Sequence, residues 1–256
     1  MTWIYLAFHS RTVTEAESFR ERCRLLLRLE IEGDARIAQA LLRDNDALCQ
    51  NILEDPDRRR RILAFTDPKD AIGDGYDHLD DLIAGLLRLC EPGPEQRAQH
   101  PERVFYQPTP ARHALELIRR GELRETDVVV DLGAGLGHVV LLVALLTSAT
   151  AVGIEIEPAF VDSARRSARA LQLERAHFRL GDARAADFSR GTLFYLYTPF
   201  RGATLQAVLA RLRGEARRRP IRLASFGPCT PALAAEPWLT ADSAPVEDRI
   251  TFFHAS

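Results

Sequence analysis

The sequence predicts an α/β fold: a mostly parallel sheet with helices on both faces, preceded by an N-terminal helical domain. Three observations lead to it. From about residue 105 onward, short runs rich in β-branched and aromatic residues alternate with helical patterns, as a parallel sheet with crossover helices requires. Within that alternation, VVVDLGAGLGHVV (Val128 to Val140) joins a strand-like run to a glycine-rich turn and a second apolar run. Before residue 100 the chain shows helical periodicity and no alternating strand residues.

The helical part reads as ESFRERCRLLLRLEIEG, ARIAQALLRDNDALCQNIL, DRRRRILAF and DHLDDLIAGLLRLCEPG. In the second of these, Ile37, Leu41, Leu48, Ile52 and Leu53 fall on one side at helical spacing. Arg58 to Arg61 is expected to be a solvated helix start rather than a phosphate grip. The acidic run DPKDAIGDGYDHLDD (67 to 81) lacks calcium-loop spacing and is read as helix capping, with no metal site. The proline-bearing EPGPEQRAQHPERV (91 to 104) is the expected connection, dividing the chain into residues 1–100 and 101–256.

Beyond it, Thr109 before Pro110 predicts an N-cap with proline at the first helical position, opening ARHALELIRR, which closes at Gly121. Strands are expected at DVVVDL, ATAVGIEI, AHFRL, TLFYLYT, IRLASF and RITFFHA. Helices are expected after Gly137 and at PAFVDSARRSARALQL and ATLQAVLARLRGEARRR.

Composition narrows the function classes. The 256 residues are 46% hydrophobic and 27% charged, which is ordinary globular material. A formal net charge of -2 argues against a protein whose main task is coating nucleic acid. Cys23, Cys49, Cys90 and Cys229 show no C-x-x-C pairing and suit reduced thiols in a cytosol. MTWIYLAFH lacks a basic leader, and no apolar run approaches the roughly 20 residues that span a bilayer. A soluble cytoplasmic protein is expected.

The glycine turn points to a ligand. Gly133, Gly135 and Gly137 give G-x-G-x-G, whereas a dinucleotide turn has its third glycine where this chain has His138. Asp131 ends the preceding strand with a carboxylate beside a helix N-terminus. A diphosphate would be repelled there and an ammonium welcomed, which favours S-adenosyl-L-methionine (SAM), with its α-amino group and sulfonium. In an open parallel sheet the ligand sits at the carboxyl ends of the strands. Read in order, those ends offer Asp131 with the turn, then Glu155, 22 residues after Gly133, for the ribose hydroxyls. Asp182 follows for the adenine amino group, with the Ala183 N–H for a ring nitrogen. Tyr197 and Thr198 end the fourth strand, where the methyl group would emerge.

These motifs resemble the Rossmann-like class I, seven-stranded SAM-dependent methyltransferases. DLGAGLGHVVLLVA is most similar to the turn and helix of the histone lysine methyltransferases that lack a SET domain. The resemblance implies that Tyr106 and Thr109, in YQPT, close over SAM, and that Glu155 and Asp182 are the ribose and adenine acids. It covers about residues 105 to 205. That family has an asparagine at the end of the fourth strand, where this chain has Tyr197.

The expected activity is methyl transfer to an amine of a protein or small molecule, with Tyr106, Tyr197 and Phe200 as an aromatic wall toward the sulfonium. Two other classes stay open: a SAM-binding sensor or scaffold without turnover, and a nucleic-acid methyltransferase. Residues 1–100 are expected to serve substrate choice, a lid or oligomerisation.

Overall fold

A computed structural model describes residues 14–32, 35–66, 75–93, 106–197 and 202–255. MTWIYLAFH, most of the 91–104 connection, residues 67–74 of the acidic run, and Thr198 to Phe200 lie outside the described residues. Two compact units make up the chain, residues 1–67 with 77–86 and residues 68–76 with 87–256.

The first unit holds α1 (Glu15–Glu32), α2 (Ala35–Glu54), α3 (Arg58–Leu63) and α4 (His78–Leu86). Its core forms from residues at helical spacing: Phe19 and Cys23, Cys49 and Ile52, Ile62, and Leu79, Leu82, Ile83 and Leu86. Of the apolar stripe expected on α2, Ile52 is buried, whereas Ile37 is 50% exposed. Arg61 pairs with Glu15 at 2.7 Å and Asp55 at 3.2 Å, so its charge is taken up inside the unit. The acidic run does cap a helix. Asp77 accepts the Leu79 N–H at 2.8 Å, and Asp80 accepts the Asp77 N–H at 2.7 Å. The helix expected to run on from α4 stops at Leu86, and Arg88 turns the chain with φ 51°.

The second unit contains α5 (Ala111–Arg120), β1 (Val128–Leu132), α6 (His138–Leu146), β2 (Thr150–Glu155), α7 (Pro158–Ala170), β3 (Ala176–Leu180) and β4 (Leu193–Tyr197). It continues with α8 (Gly202–Ala216), β5 (Arg222–Phe226), α9 (Thr230–Ala234), β6 (Leu239–Ala241) and β7 (Thr251–Ala255). The strands form one seven-stranded sheet in the order β3-β2-β1-β4-β5-β7-β6. The first five are parallel, and β7 enters antiparallel between β5 and β6.

All six expected strands are present; β6 and α9 were not anticipated. Both are short: Leu239–Ala241 has three residues, too few to show an alternation, and Thr230–Ala234 has five. One cap is also different. Helix α5 starts after Pro110, no side chain caps it, and the Thr109 hydroxyl instead lies 3.0 Å from the Tyr195 hydroxyl.

Register decides which residues share a face, because successive side chains alternate and paired positions in parallel strands match. Val130, Leu132, Val152, Ile154, Phe194, Leu196 and Leu223 pack on Leu205, Val208, Leu209 and Leu212 of α8. Asp131 pairs with Gly153 on one side and Tyr195 on the other. Tyr197 pairs with Phe226. Asp131, Glu155, Tyr195, Tyr197 and Phe226 therefore occupy the opposite face.

Candidate active site

Strand β1 delivers Asp131 and then the turn. Gly133 and Ala134 both donate to the Ile154 carbonyl, at 2.8 and 3.1 Å, which folds the turn onto the end of β2. Gly135 is doubly constrained: its φ is +53°, and a side-chain carbon there would run into the Tyr106 ring. Only glycine meets both demands.

Glu155 braces this turn. Its Oε2 accepts the Gly135 N–H at 2.8 Å, and its Oε1 accepts the Ile156 and Glu157 N–H groups at 2.8 and 2.9 Å. A carboxylate has about four lone-pair directions, so about one remains. Burial outweighs these bonds and holds the carboxyl above its usual range.

Asp131 has the opposite situation. It is 5% exposed, and among the described residues no donor reaches its carboxylate. Burial, and next the neighbouring Glu155 charge, push it up to about 8. A buried carboxyl without donors keeps its proton near neutrality and loses it to solvent when a cation is placed beside it.

Gly181, which donates to the Glu155 carbonyl at 2.9 Å, carries the chain from β3 to Asp182 and the buried Ala183. Asp182 accepts the Arg184 backbone N–H at 2.7 Å and its guanidinium at 2.6 and 2.8 Å, which hold the carboxyl below its usual range.

Tyr106 lies over the turn, its ring 4.6 Å from that of Phe160 and its hydroxyl 3.4 Å from His138 Nδ1. Burial lowers His138 to about 4, so its ring is neutral. The Tyr106–Thr109 segment is tied down at Pro108, and the start of α5 just beyond it is held at Arg112. Tyr76 donates to the Pro108 carbonyl at 2.7 Å, and Arg112 donates to the Gly75 carbonyl at 2.8 Å. At the other end, the buried Tyr197 ring is 4.9 Å from Phe226, which in turn is 4.0 Å from the His113 ring. Thr198 lies outside the described residues.

The strand ends thus gather Asp131, Gly133, Gly135, Glu155 and Tyr106 at one turn, with Thr109 on Tyr195 and Tyr197 on Phe226 along the same face, and Asp182 and Ala183 one strand further out. Four neighbours escaped the sequence reading. Tyr195 had a signal, since LFYLY places it two residues from Tyr197 and so on the same face. Ile156 had a weaker one, an apolar residue amid polar strand ends; it is 54% exposed beside Glu155. Arg184 sits two residues from Asp182 and was not read as its partner. Tyr76 had no local signal, being joined to Pro108 only by the fold.

The last strand enters the sheet antiparallel between β5 and β6. Residues 123–193 match the family model described as "Methyltransferase domain". Over that stretch the chain is similar to a methyltransferase domain, set within the seven-stranded sheet. The match is to the general domain rather than to the histone lysine enzymes. The chain is similar to an RNA methyltransferase from Salinibacter ruber in complex with S-adenosyl-L-homocysteine: 28% identity, 58% of this chain and 92% of that one covered, TM-score 0.48. It is also similar to a Pyrococcus abyssi tRNA (uracil-54, C5)-methyltransferase in complex with the same ligand, at 21% identity, 60% and 40% coverage and TM-score 0.41. No curated protein matches the chain. Among the described residues, no helix is long and apolar enough to cross a membrane.

Proposed function

We propose that the protein binds SAM through the residues gathered at the strand ends and transfers its methyl group to an amine of a protein or a small molecule. The observation that carries the cofactor half is the buried Asp131 carboxylate without a donor, which suits an ammonium group. The other residues fit the same molecule. The remaining Glu155 lone pair suits a ribose hydroxyl, and Asp182 and the Ala183 N–H suit the adenine edge. Gly133 and Gly135 let the backbone approach, while Tyr106 and Thr109 line the amino-acid side.

SAM supplies an electrophilic methyl on a positively charged sulfur. What the chain supplies is orientation and a dry, aromatic-walled approach. Tyr197 is assigned the acceptor side, where its hydroxyl accepts a hydrogen bond from an amine or its ring faces the sulfonium; Thr198 follows it. The described end of β4 carries no Asp, Glu or His, and an amine that arrives neutral needs no base there. Acceptor choice is assigned to the helical residues before about 100.

Incubation with methyl-labelled SAM and separate panels of small amines, lysine-bearing proteins and RNA tests this reading. Label is expected in an amine of the first two panels. Label confined to RNA overturns the acceptor assignment, and SAM binding without transfer to any panel favours a sensor.

A further inference from the structure

Thr109 and Tyr195 come from segments 86 positions apart, yet their hydroxyls lie 3.0 Å from one another in a buried place. Two hydroxyls carry two hydrogens, and the bond between them uses one. No acceptor among the described residues takes the second. Tyr195 is 1% exposed and Thr109 8%, so the phenol is the inner partner. A phenol is also the stronger acid, hence the better donor. Either hydroxyl can be the donor; with Tyr195 donating to Thr109 Oγ1, the Thr109 hydrogen is the one left over.

On the strand beside Tyr195 stands a spare acceptor. Asp131 is the register partner of Tyr195 and shares its face of the sheet. A buried O–H without an acceptor beside a buried carboxylate without a donor is the complement of an α-amino-acid zwitterion, whose carboxylate accepts and whose ammonium donates.

We infer that Tyr195 is a positioning residue for the amino-acid end of the cofactor: it holds the Thr109 hydroxyl as donor to the α-carboxylate while Asp131 takes the α-ammonium. This rests on the SAM reading above.

The test is calorimetric titration of the full chain with S-adenosylhomocysteine and with methylthioadenosine, which lacks the amino-acid carboxylate and ammonium. Tyr195→Phe keeps the ring and should weaken S-adenosylhomocysteine by about 3- to 10-fold, leaving methylthioadenosine unchanged. Thr109→Val should weaken the first ligand by more, Thr109→Ser should restore it, and adding Tyr195→Phe to Thr109→Val should cost little further. Should Tyr195→Phe fail to fold, the Thr109 valine and serine variants decide by the same contrast between ligands. Unchanged S-adenosylhomocysteine binding in Tyr195→Phe, or equal loss of both ligands, overturns the inference alone. Failure of the parent protein to bind S-adenosylhomocysteine overturns the SAM reading and the inference with it.

Discussion

Replacing Asp131 with asparagine should make the ligand-free protein more stable and the liganded protein less so. The side chain is 5% exposed without a donor, and its carboxyl is raised from 3.8 to about 8, by burial first and then by Glu155. Between those values the folded chain holds a proton that the unfolded chain has lost. Stability from this group is therefore complete below about pH 4 and is lost as pH rises toward about 8, at about 1.4 kcal/mol per unit. The full span is on the order of 5 kcal/mol, an upper bound. His138, lowered to about 4, acts below its ordinary value of 6.5: its stabilisation is lost as pH falls from there. A comparison between about pH 6.5 and pH 8.5 thus isolates Asp131 and its coupling to Glu155. Across that window the parent should lose about 2 kcal/mol relative to Asp131→Asn, or roughly 4–8 °C in Tm. Thermal denaturation of both proteins without ligand reads this directly. The same variant should bind SAM about 10- to 100-fold more weakly, because an ammonium loses its charged partner. Equal pH slopes in the two proteins would show that Asp131 is not the buried titrating group, and the reasoning would fail.

Glu155→Ala should lower SAM affinity by about 10- to 100-fold and also lower Tm, since three backbone N–H groups lose their acceptor; a variant with parental affinity and Tm would remove Glu155 from both roles. Gly135→Ala should displace Tyr106 and destabilise the chain by about 1–3 kcal/mol through its positive φ, measurable by urea unfolding; parental stability would contradict the close approach. Tyr197→Phe and Tyr197→Ala separate ring from hydroxyl in a turnover assay with SAM affinity as control. A loss only in the alanine variant assigns the ring, a loss in both assigns the hydroxyl, and parental turnover in both removes Tyr197 from the site.

Much of the sheet was legible because its signals are local. Val128–Leu132 and Leu193–Tyr197 announce themselves by β-branched and aromatic density, and Gly133–Gly137 by a spacing that only a tight turn explains. Asp131 stands out for a related reason: a carboxylate directly after three valines sits at the end of a core strand, and the fold buries it. What stayed hidden depends on chain segments far apart. The helix-cap expectation for Thr109 was reasonable from its neighbour Pro110, but the tertiary partner Tyr195 claimed the hydroxyl. Tyr76 reaches Pro108 across 32 positions, and no window of sequence contains both. Strand β6 has three residues and exists because β7 offers it an edge to pair with.

In the proposed function, a buried carboxylate beside the glycine turn selects SAM over a dinucleotide. Calorimetric titration of the purified protein with SAM, S-adenosylhomocysteine and NAD at one pH and salt concentration tests it most directly. Saturable binding of SAM and S-adenosylhomocysteine, and none of NAD, is expected. Saturable NAD binding with no heat from SAM would contradict it.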